Sequence, residues 1–431
     1  VPVSTDTGAL DIDGGSATVN VDADLTAATS LAISNAATVE LGSNVDLTAL
    51  NGVLDVATGV TQIDLNGTPG TNNVIDGNGD ALVQLGPVVD TSPDSMTVNS
   101  EGSIVLDTVD IDGTLNINVD NDDDDAETLT AESLSAATIN VLGTSLNETL
   151  NFNGAATSTT GGVLIDNANT VNLGDGNTTD DVTAATTLDI QNVATEVQID
   201  GNTDLAALNG ALSIFNNVPQ INLIGLAGTN NIIDGNGDAL VQLAPLVDTS
   251  PDSVTVNSEG SVVLDTVDID GTLNVNVDNG GSDDPESLTA KTLTAGTLDV
   301  QGTVGSTDDT HTFNGPVTTT TGGVEVSDAA LVDFMPGADI TSTGSVDVSG
   351  TNITVQDVMA SDDIALNPGA RLTQTAPNLF RPDGFLTLED MTITSIGGDV
   401  ILGPTSGFGS FPSVATIIAS GDVTVTGNNV T

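Results

Sequence analysis

The sequence predicts an all-β fold, a parallel β-solenoid built from stacked coils of about 20 residues each. One observation is the short alternation of apolar and polar residues, as in Leu31-Ala32-Ile33 and Leu115-Asn116-Ile117, which is typical of strands with one buried face. Turns rich in Gly, Asn and Asp, such as Asn51-Gly52, separate these segments at intervals of about 8 to 12 residues. Regular short strands of this kind indicate either a sandwich or a stack of β coils.

A long internal repeat extends the prediction to the whole chain. Residues 75–85 recur letter for letter as residues 233–243, and residues 105–116 recur as residues 263–274 with the same spacing. Thr160-Gly161-Gly162 returns as Thr321-Gly322-Gly323 and marks a third beginning. Repetition of this length is typical of arrays whose units stack on one another. We predict a first repeat over residues 1–159, a second over 160–320, and a divergent third start with a capping or docking region over 321–431.

Tandem β-sandwich domains are the alternative architecture. A sandwich closes at about 100 residues and needs a linker to its neighbour. No Pro/Ser-rich linker is found, and the alternating pattern continues across the repeat junction near residue 160. Continuous stacking therefore favours the solenoid.

The charge of the chain limits its partners. It has 61 acidic against three basic residues, a formal net charge of −58. Binding nucleic acid requires Lys and Arg to displace counterions, so a nucleic-acid partner is not expected. No apolar run reaches the roughly 18 residues of a membrane helix, so membrane insertion is not expected. Cations and further copies of the same chain are the predicted partners, and hydration in concentrated salt is a competing explanation for the acidic surface.

Two repeated groups of oxygen ligands are candidate calcium sites. Ca²⁺ takes six to eight oxygens, and a Gly-rich turn with Asp or Asn at alternate positions resembles half of a calcium loop. The first group comprises Asp76, Asn78 and Asp80, with copies at Asp234, Asn236 and Asp238. The second comprises Asp107, Asp110 and Asp112, with copies at Asp265, Asp268 and Asp270. Ordinary turn and surface aspartates are the alternative interpretation of both groups.

Two further expectations concern single side chains. Strand alternation predicts that Asp120 lies on the same outward face as Asp110 and Asp112. His311 is the one histidine of the chain, and nothing around it suggests a catalytic triad. We expect a surface histidine, and we predict no catalytic residue and no organic cofactor.

The two ends of the sequence are the predicted interfaces between copies. An open sheet edge must be covered or paired with another strand, and exposed aromatic residues are typical interface anchors. The candidates are Val1 and Val3 at the start, and Phe380, Phe385, Phe408 and Phe411 in the last hundred residues.

Some strand phrases resemble a known family. Gly397-Gly398-Asp399-Val400-Ile401-Leu402 and Ser420-Gly421-Asp422-Val423-Thr424-Val425 are similar to the repeats of filamentous-haemagglutinin-type secreted β-helical adhesins. The Asn-Pro-Asn signature of that family's secretion domain is absent near the start of the sequence. The resemblance implies an extracellular right-handed β-helix used in adhesion or surface structure, and it carries over no binding residue.

These observations predict a non-enzymatic extracellular structural protein, a subunit of a self-assembling filament, sheath or layer at the cell surface, with an acidic cation-binding surface. The start at Val1 without Met suggests a processed, mature product. A rod-like adhesin that binds a glycan or protein remains an alternative. A polysaccharide-active β-helix enzyme is a second alternative, because two of the many carboxylates could converge in one cleft.

Overall fold

The structure is a computed structural model, and it describes residues 1–79, 81–90, 93–120, 125–176, 180–225, 227–237, 239–248, 252–277, 285–303, 308–374, 392–395, 400–405, 416–419 and 423–427. Within these residues it contains strands and turns and no helix. The strand pairs are parallel, as in the pairing of Leu10–Asp13 with Leu31–Ser34. The predicted parallel β-solenoid is therefore confirmed, and antiparallel sandwich domains are excluded for this part of the chain.

Contacts between Cα atoms divide the chain into two compact units, Val1–Asn222 and Leu223–Thr431. Parallel stacking crosses the sequence junction near residue 160 inside the first unit, where Ile139 is in register with Val163. It likewise crosses the junction near residue 320 inside the second unit, where Leu298 is in register with Val324. The division at residues 159 and 320 follows the sequence repeats and stays a prediction.

Each coil of the first unit contributes to three parallel sheets, because each strand near the beginning pairs with the third strand after it. Sheet 1 contains Val3–Ser4, Leu25–Ala27, Asp46–Ala49, Asn72–Gly77, Ser95–Ser100, Thr114–Val119, Thr138–Gly143 and Leu212–Ile214. Sheet 2 contains Leu10–Asp13, Leu31–Ser34, Leu54–Val56, Val83–Leu85 and Thr149–Phe152. Sheet 3 contains Thr18–Val21, Thr38–Leu41, Ile63–Leu65, Val88–Asp90, Ala156–Ser158, Val182–Ala184 and Leu205–Ala207. Longer strands bend at a corner and join two sheets: Ile104–Asp110, Thr128–Ala136, Val163–Leu173 and Leu188–Ile199.

The second unit is built in the same way. Sheet 4 contains Asn230–Gly235, Ser253–Ser258, Thr272–Val277, Thr297–Gln301, Val324–Ser327, Val400–Thr405 and Val423–Gly427. Sheet 5 contains Val241–Leu243, Thr310–Phe313 and Leu331–Phe334. Sheet 6 contains Leu246–Asp248, Val317–Thr319, Ile340–Ser342, Val358–Ala360, Thr392–Ser395 and Thr416–Ala419. The bent strands are Val262–Asp268, Ser287–Ala295, Val346–Val355 and Ile364–Gln374, and Ile221–Leu223 lies at the border of the units.

The period-two pattern places the core inside the coils. In Leu31–Ser34, Leu31 and Ile33 are fully buried, whereas Ala32 and Ser34 face outward and are partly exposed. The same alternation is present in the strands of both units, so Val, Ile and Leu fill the interior. Burying each such side chain contributes about 1.5–3 kcal/mol. Consecutive coils are about 23 residues apart rather than the predicted 20, because each coil must pass three strands and the corners between them.

Asparagine forms several of the corners. Asn192 and Asn217 both have left-handed backbone angles, with φ of 53° and 55°. The Nδ2 atom of Asn217 donates to Oδ1 of Asn192 at 2.7 Å. Asn tolerates this backbone region better than most residues. Asn therefore suits these corners in two ways, through its left-handed backbone conformation and through a side-chain hydrogen bond to the neighbouring coil.

Candidate functional site

The outward faces carry carboxylates in register on neighbouring strands. On sheet 4, Asp299 pairs with Glu325, and Glu325 pairs with Asp347 on the next strand. Neighbouring strands lie about 4.8 Å apart. Burial raises the pKa of Glu325, and the negative charges of Asp299 and Asp347 raise it further. This acidic ladder is therefore a line of mutual repulsion that a cation would relieve.

The first unit has similar ladders. Glu40 is in register with Asp64 on the adjacent strand. Burial raises the pKa of Asp64, and Glu40 and Asp90 add to the rise. Burial also raises the pKa of Asp46, again with neighbouring carboxylates as a further cause. The acidic surface is thus arranged in ladders along the stack and is not confined to the turns singled out in the sequence.

The first candidate calcium turn follows strand Asn72–Gly77. The Nδ2 atom of Asn78 donates to Oδ2 of Asp76 at 3.3 Å, and the backbone N–H of Gly79 donates to Oε2 of Glu101 from the next coil. Gly79 has a φ of +84°, a left-handed conformation that favours glycine. Asp80 lies outside the described residues. The structure therefore brings Asp76 and Asn78 together and adds Glu101, which sequence reasoning missed.

The second copy of this turn has the same geometry. The Nδ2 atom of Asn236 donates to Oδ2 of Asp234 at 3.2 Å, and the backbone N–H of Gly237 donates to Oε2 of Glu259. Asp238 lies outside the described residues. The spacing between each turn and its glutamate is one coil, so a search for acidic residues one coil length after the turn would have found Glu101 and Glu259.

The second candidate group is spread around a corner. Asp107 lies where the strand Ile104–Asp110 bends between sheets 2 and 3, Asp110 lies at the end of that strand, and Asp112 is in the following turn. All three side chains are exposed. Asp265, Asp268 and Asp270 occupy the equivalent positions around the strand Val262–Asp268. Across the residues that the structure describes, no group of three or more His, Cys, Asp or Glu side chains could hold a metal ion, so both calcium sites stay predictions.

A pocket adjoins Asp107 in the first unit. Its volume is about 300 Å³, and its lining includes Ala57, Val60, Gln84, Pro87, Asp107 and Glu132. Leu106 pairs with Ala131 and Thr108 pairs with Ser133, which places Asp107 opposite Glu132 on the adjacent strand. The pocket combines a carboxylate pair with apolar walls.

Asp120 does not follow the predicted alternation. It is completely buried, and its φ is +53°. The left-handed angle turns the chain at the end of strand Thr114–Val119, so the next side chain points inward instead of joining Asp110 and Asp112. The expectation of an outward Asp120 is wrong because strand alternation ends at the corner.

Buried aspartates also hold the corners that precede several strands. Oδ1 of Asp94 accepts a hydrogen bond from Oγ1 of Thr71 at 2.9 Å, and Oδ2 of Asp180 accepts one from the backbone N of Asp175 at 3.0 Å. Oδ2 of Asp309 accepts one from the backbone N of Thr303 at 3.2 Å. Each of these buried carboxylates thus accepts a hydrogen bond from the adjacent loop and fixes the path of the chain at the corner. Their sequence signal is an Asp at the end of a polar loop, directly before a strand.

His311 is buried, which contradicts the expectation of a surface histidine. It has no exposed surface and is in register with Leu288 and Val332 on the neighbouring strands. Burial lowers the pKa of His311 to about 4, and backbone groups of Ser327 and Thr310 partly offset the effect. The signal that could have found this is the strand Thr310–Phe313, in which His311 and Phe313 share one face.

The predicted interface residues fall into two groups. Val1 and Val3 are both exposed, and Val3 belongs to the strand Val3–Ser4. Phe380, Phe385, Phe408 and Phe411 lie outside the described residues. The structure therefore gives a position only for the first group.

No protein-family model, curated protein or solved structure matches this chain. Among the residues that the structure describes, none forms a helix long and apolar enough to cross a membrane. The class defined by the fold is thus a parallel β-solenoid repeat protein.

Proposed function

We propose that this chain is a non-enzymatic structural protein, a subunit of an extracellular filament, sheath or layer at a cell surface. The observation that carries the proposal is the in-register acidic ladder of Asp299, Glu325 and Asp347 on an otherwise regular stack of coils. A surface of this kind repels its own copies unless cations lie between them. The resemblance of some strand phrases to the repeats of filamentous-haemagglutinin-type β-helices also supports a structural role at the cell surface.

In this proposal the buried core makes each subunit stiff, and the acidic surface makes contact between subunits depend on cations. The coils stack through backbone hydrogen bonds and buried Val, Ile and Leu, so the body needs no disulfide, and the chain has no Cys. Cations screen or bridge the carboxylates and allow lateral contact between copies. Calcium is the proposed bridging ion, because carboxylates and backbone carbonyls are the ligands it prefers.

An open strand edge is the proposed place for end-to-end contact. Among the described strands, Val3–Ser4 pairs with Leu25–Ala27, and both Val1 and Val3 expose their side chains. Unpaired backbone groups at a sheet edge accept another strand. A second copy that adds its own strand there would continue the stack.

Electron microscopy and sedimentation of the purified chain test the proposal, with and without millimolar Ca²⁺ and molar NaCl. We expect regular filaments or sheets that depend on cations. The backbone N–H of Val3 already donates to the carbonyl O of Asp24, so the N–H of Ser4 is the one that points to the open side of this strand. Ser4→Pro should therefore shorten or abolish end-to-end assemblies, because Pro there blocks strand addition. Leu146→Pro is the matched control, since it places Pro at an exposed position away from that edge. A chain that stays monomeric at high concentration in every condition contradicts the proposal.

A second candidate function is polysaccharide cleavage, and one observation favours it. Asp107 and Glu132 line the same pocket and face each other on adjacent strands, and glycosidases act through a carboxylate pair. Release of reducing ends from a panel of polysaccharides, lost in both Asp107→Asn and Glu132→Gln, would establish this candidate and overturn the non-enzymatic one.

A further inference from the structure

The corner at Asp107 has an internal counterpart in the second repeat. Leu106-Asp107-Thr108 recurs as Leu264-Asp265-Thr266. In both copies the threonine hydroxyl lies 3.3 Å from the aspartate Oδ1, to which it donates. The aspartate therefore has the same threonine partner in both corners. The two corners differ in the residue that faces the aspartate on the adjacent strand.

The facing residue has opposite charge in the two corners. Asp265 faces Lys291, whose Nζ donates to Oδ2 of Asp265 at 2.6 Å. Asp107 faces Glu132, and Oε1 of Glu132 accepts from Nδ2 of Asn153 at 3.0 Å. Residues 1–222 contain no Lys or Arg. A cation that neutralises the Asp107–Glu132 pair must therefore come from another molecule or from the rest of the chain.

The pocket beside this carboxylate pair is larger than a single ion needs, and part of its lining is apolar. Its volume is about 300 Å³, and Val60, Pro87 and Ala57 give it an apolar wall. In the second repeat the sequence carries Phe215 at the position of Ala57 and Ala244 at the position of Gly86. Both replacements are larger, so the first repeat combines smaller side chains with an unneutralised carboxylate pair.

We propose that the pocket beside Asp107 and Glu132 binds an alkylammonium group, that is, a primary amine on a short apolar stem. The ammonium donates to the two carboxylates as Lys291 Nζ does to Asp265, and the methylene stem lies along Val60 and Pro87. Lysine side chains bury their stems in this way while the charged head meets a polar partner. A Ca²⁺ ion takes only oxygen ligands, so it would leave the apolar wall of the pocket unused. An alkylammonium group uses both the carboxylates and that wall, and it therefore fits the pocket better than a metal ion does.

The amine can come from a lysine of a partner protein or from a free diamine. The chain itself has few candidates, because it contains three basic residues in total and Lys291 is already paired. The occupant is accordingly a molecule of different composition from this chain. Such a site goes beyond the proposed structural role, since it would attach a lysine-bearing partner or a polyamine to the stack.

Titration of the full chain at low salt with n-butylammonium, cadaverine and a blocked lysine peptide tests the proposal. The readout is the methyl chemical shift of Val60 and Leu106, which reports on the pocket itself. We expect saturable binding with a Kd on the order of 1 mM. Glu132→Lys, which copies the second repeat, and Ala57→Phe, which narrows the pocket, should each weaken binding at least about tenfold, a difference of about 1.4 kcal/mol.

Asp6→Lys is the matched control for Glu132→Lys, because it makes the same charge reversal at an exposed carboxylate of the first unit, and it should leave the affinity unchanged. Melting curves of all variants establish that they are folded. Tighter binding of the lysine peptide than of n-butylammonium assigns the site to a protein partner, and tighter binding of cadaverine assigns it to a free diamine. Equal affinity in the wild type and both pocket variants, or no methyl shift at 100-fold excess over the expected Kd, overturns the proposal.

Discussion

The rings of Phe313 and Phe334 stack with their centroids 4.5 Å apart and their planes inclined by 9°. The two residues are in register on neighbouring strands of sheet 5, and both are completely buried. Stacking of like residues from coil to coil is thus a feature of the core as well as of the surface. Phe152 occupies the matching position in the first repeat, where its neighbours in register are Ala131 and Leu173.

Removing one ring of this pair should open a cavity. We expect Phe334→Ala to lower the local free energy of unfolding by about 3–5 kcal/mol, the usual cost of a large-to-small change in a core. Repeat arrays open in segments, so amide exchange of Thr310–Phe313 and Leu331–Phe334 is the appropriate measurement. Met335→Ala is the control, because Met335 is exposed, and its effect should stay within about 0.5 kcal/mol. Equal losses in the two variants would show that the ring stack contributes nothing specific.

The sequence was sufficient for the solenoid because period-two alternation and repeated turns act locally, residue by residue. The expectations for Asp120 and His311 were wrong for different reasons. At Asp120 the strand ends and the chain turns with a φ of +53°, and the alternation of the strand gives no information about that corner. His311 lies inside the strand Thr310–Phe313, on the same buried face as Phe313; the polar character of histidine suggested the surface, whereas the alternation of the strand indicates burial.

The partners of the candidate sites were harder to predict, because they come from neighbouring coils. Glu101 reaches the turn of Gly79 from one coil further along, and Lys291 reaches Asp265 across 26 residues. The intervals between stacked residues vary with corner length, being 19 residues between Asn99 and Asn118 but 24 between Asn116 and Asn140. A single repeat length in the sequence therefore finds some of these partners, such as Glu101, 22 residues after Gly79, but misses others, such as Lys291.

Acid should destabilise the second unit through His311. Burial lowers the pKa of His311 to about 4, below the unfolded value of about 6.5. The unfolded state then binds more protons between these values, so stability falls as the pH falls from about 6.5 to about 4, by about 3 kcal/mol. His311→Leu copies Leu150 of the first repeat and should reduce this loss. Melting curves of the wild type and of His311→Leu over that pH range measure how much of the loss of stability comes from His311.

Thr312→Val provides the control for His311→Leu, since Thr312 points outward on the same strand. It should leave the pH dependence unchanged. If the wild type and His311→Leu lose stability in parallel between pH 6.5 and pH 4, the buried imidazole does not become charged in that range and the argument is wrong.

The acidic ladder should destabilise the chain at neutral pH. The pKa of Glu325 is raised in the folded state, first by burial and then by Asp299 and Asp347. A carboxylate with a raised folded pKa costs stability above that pKa, and the cost disappears as the pH falls through it. We expect Glu325→Gln to stabilise the chain at pH 7 by about 0.2–1 kcal/mol, as for like charges on adjacent strands, and by less at pH 4.

Thermal melts at the two pH values, in low and in molar salt, measure this effect. Molar salt should reduce the stabilisation caused by Glu325→Gln, because salt screens exposed charges. Asp339→Asn is the control, as Asp339 is an exposed carboxylate in a turn of the same unit. If Glu325→Gln and Asp339→Asn stabilise the chain equally, the stabilisation comes from the lower net charge and not from the ladder.

Calcium should bind at the paired Gly-rich turns only if their asparagines rotate. The amide nitrogen of Asn78 now faces Asp76, so coordination requires the amide to present Oδ1 instead. With Glu101 from the next coil the turn offers the carboxylate that its own sequence lacks. We expect a Kd on the order of 10⁻⁴–10⁻³ M, as in extracellular calcium modules, and weaker binding when Glu101→Gln and Glu259→Gln are combined.

Calorimetric titration with Ca²⁺ measures the affinity, with Mg²⁺ as the competing ion and Asp339→Asn as the control. Equal heats for both ions and no change in the double variant would indicate counterion condensation on the ladders instead of a defined site.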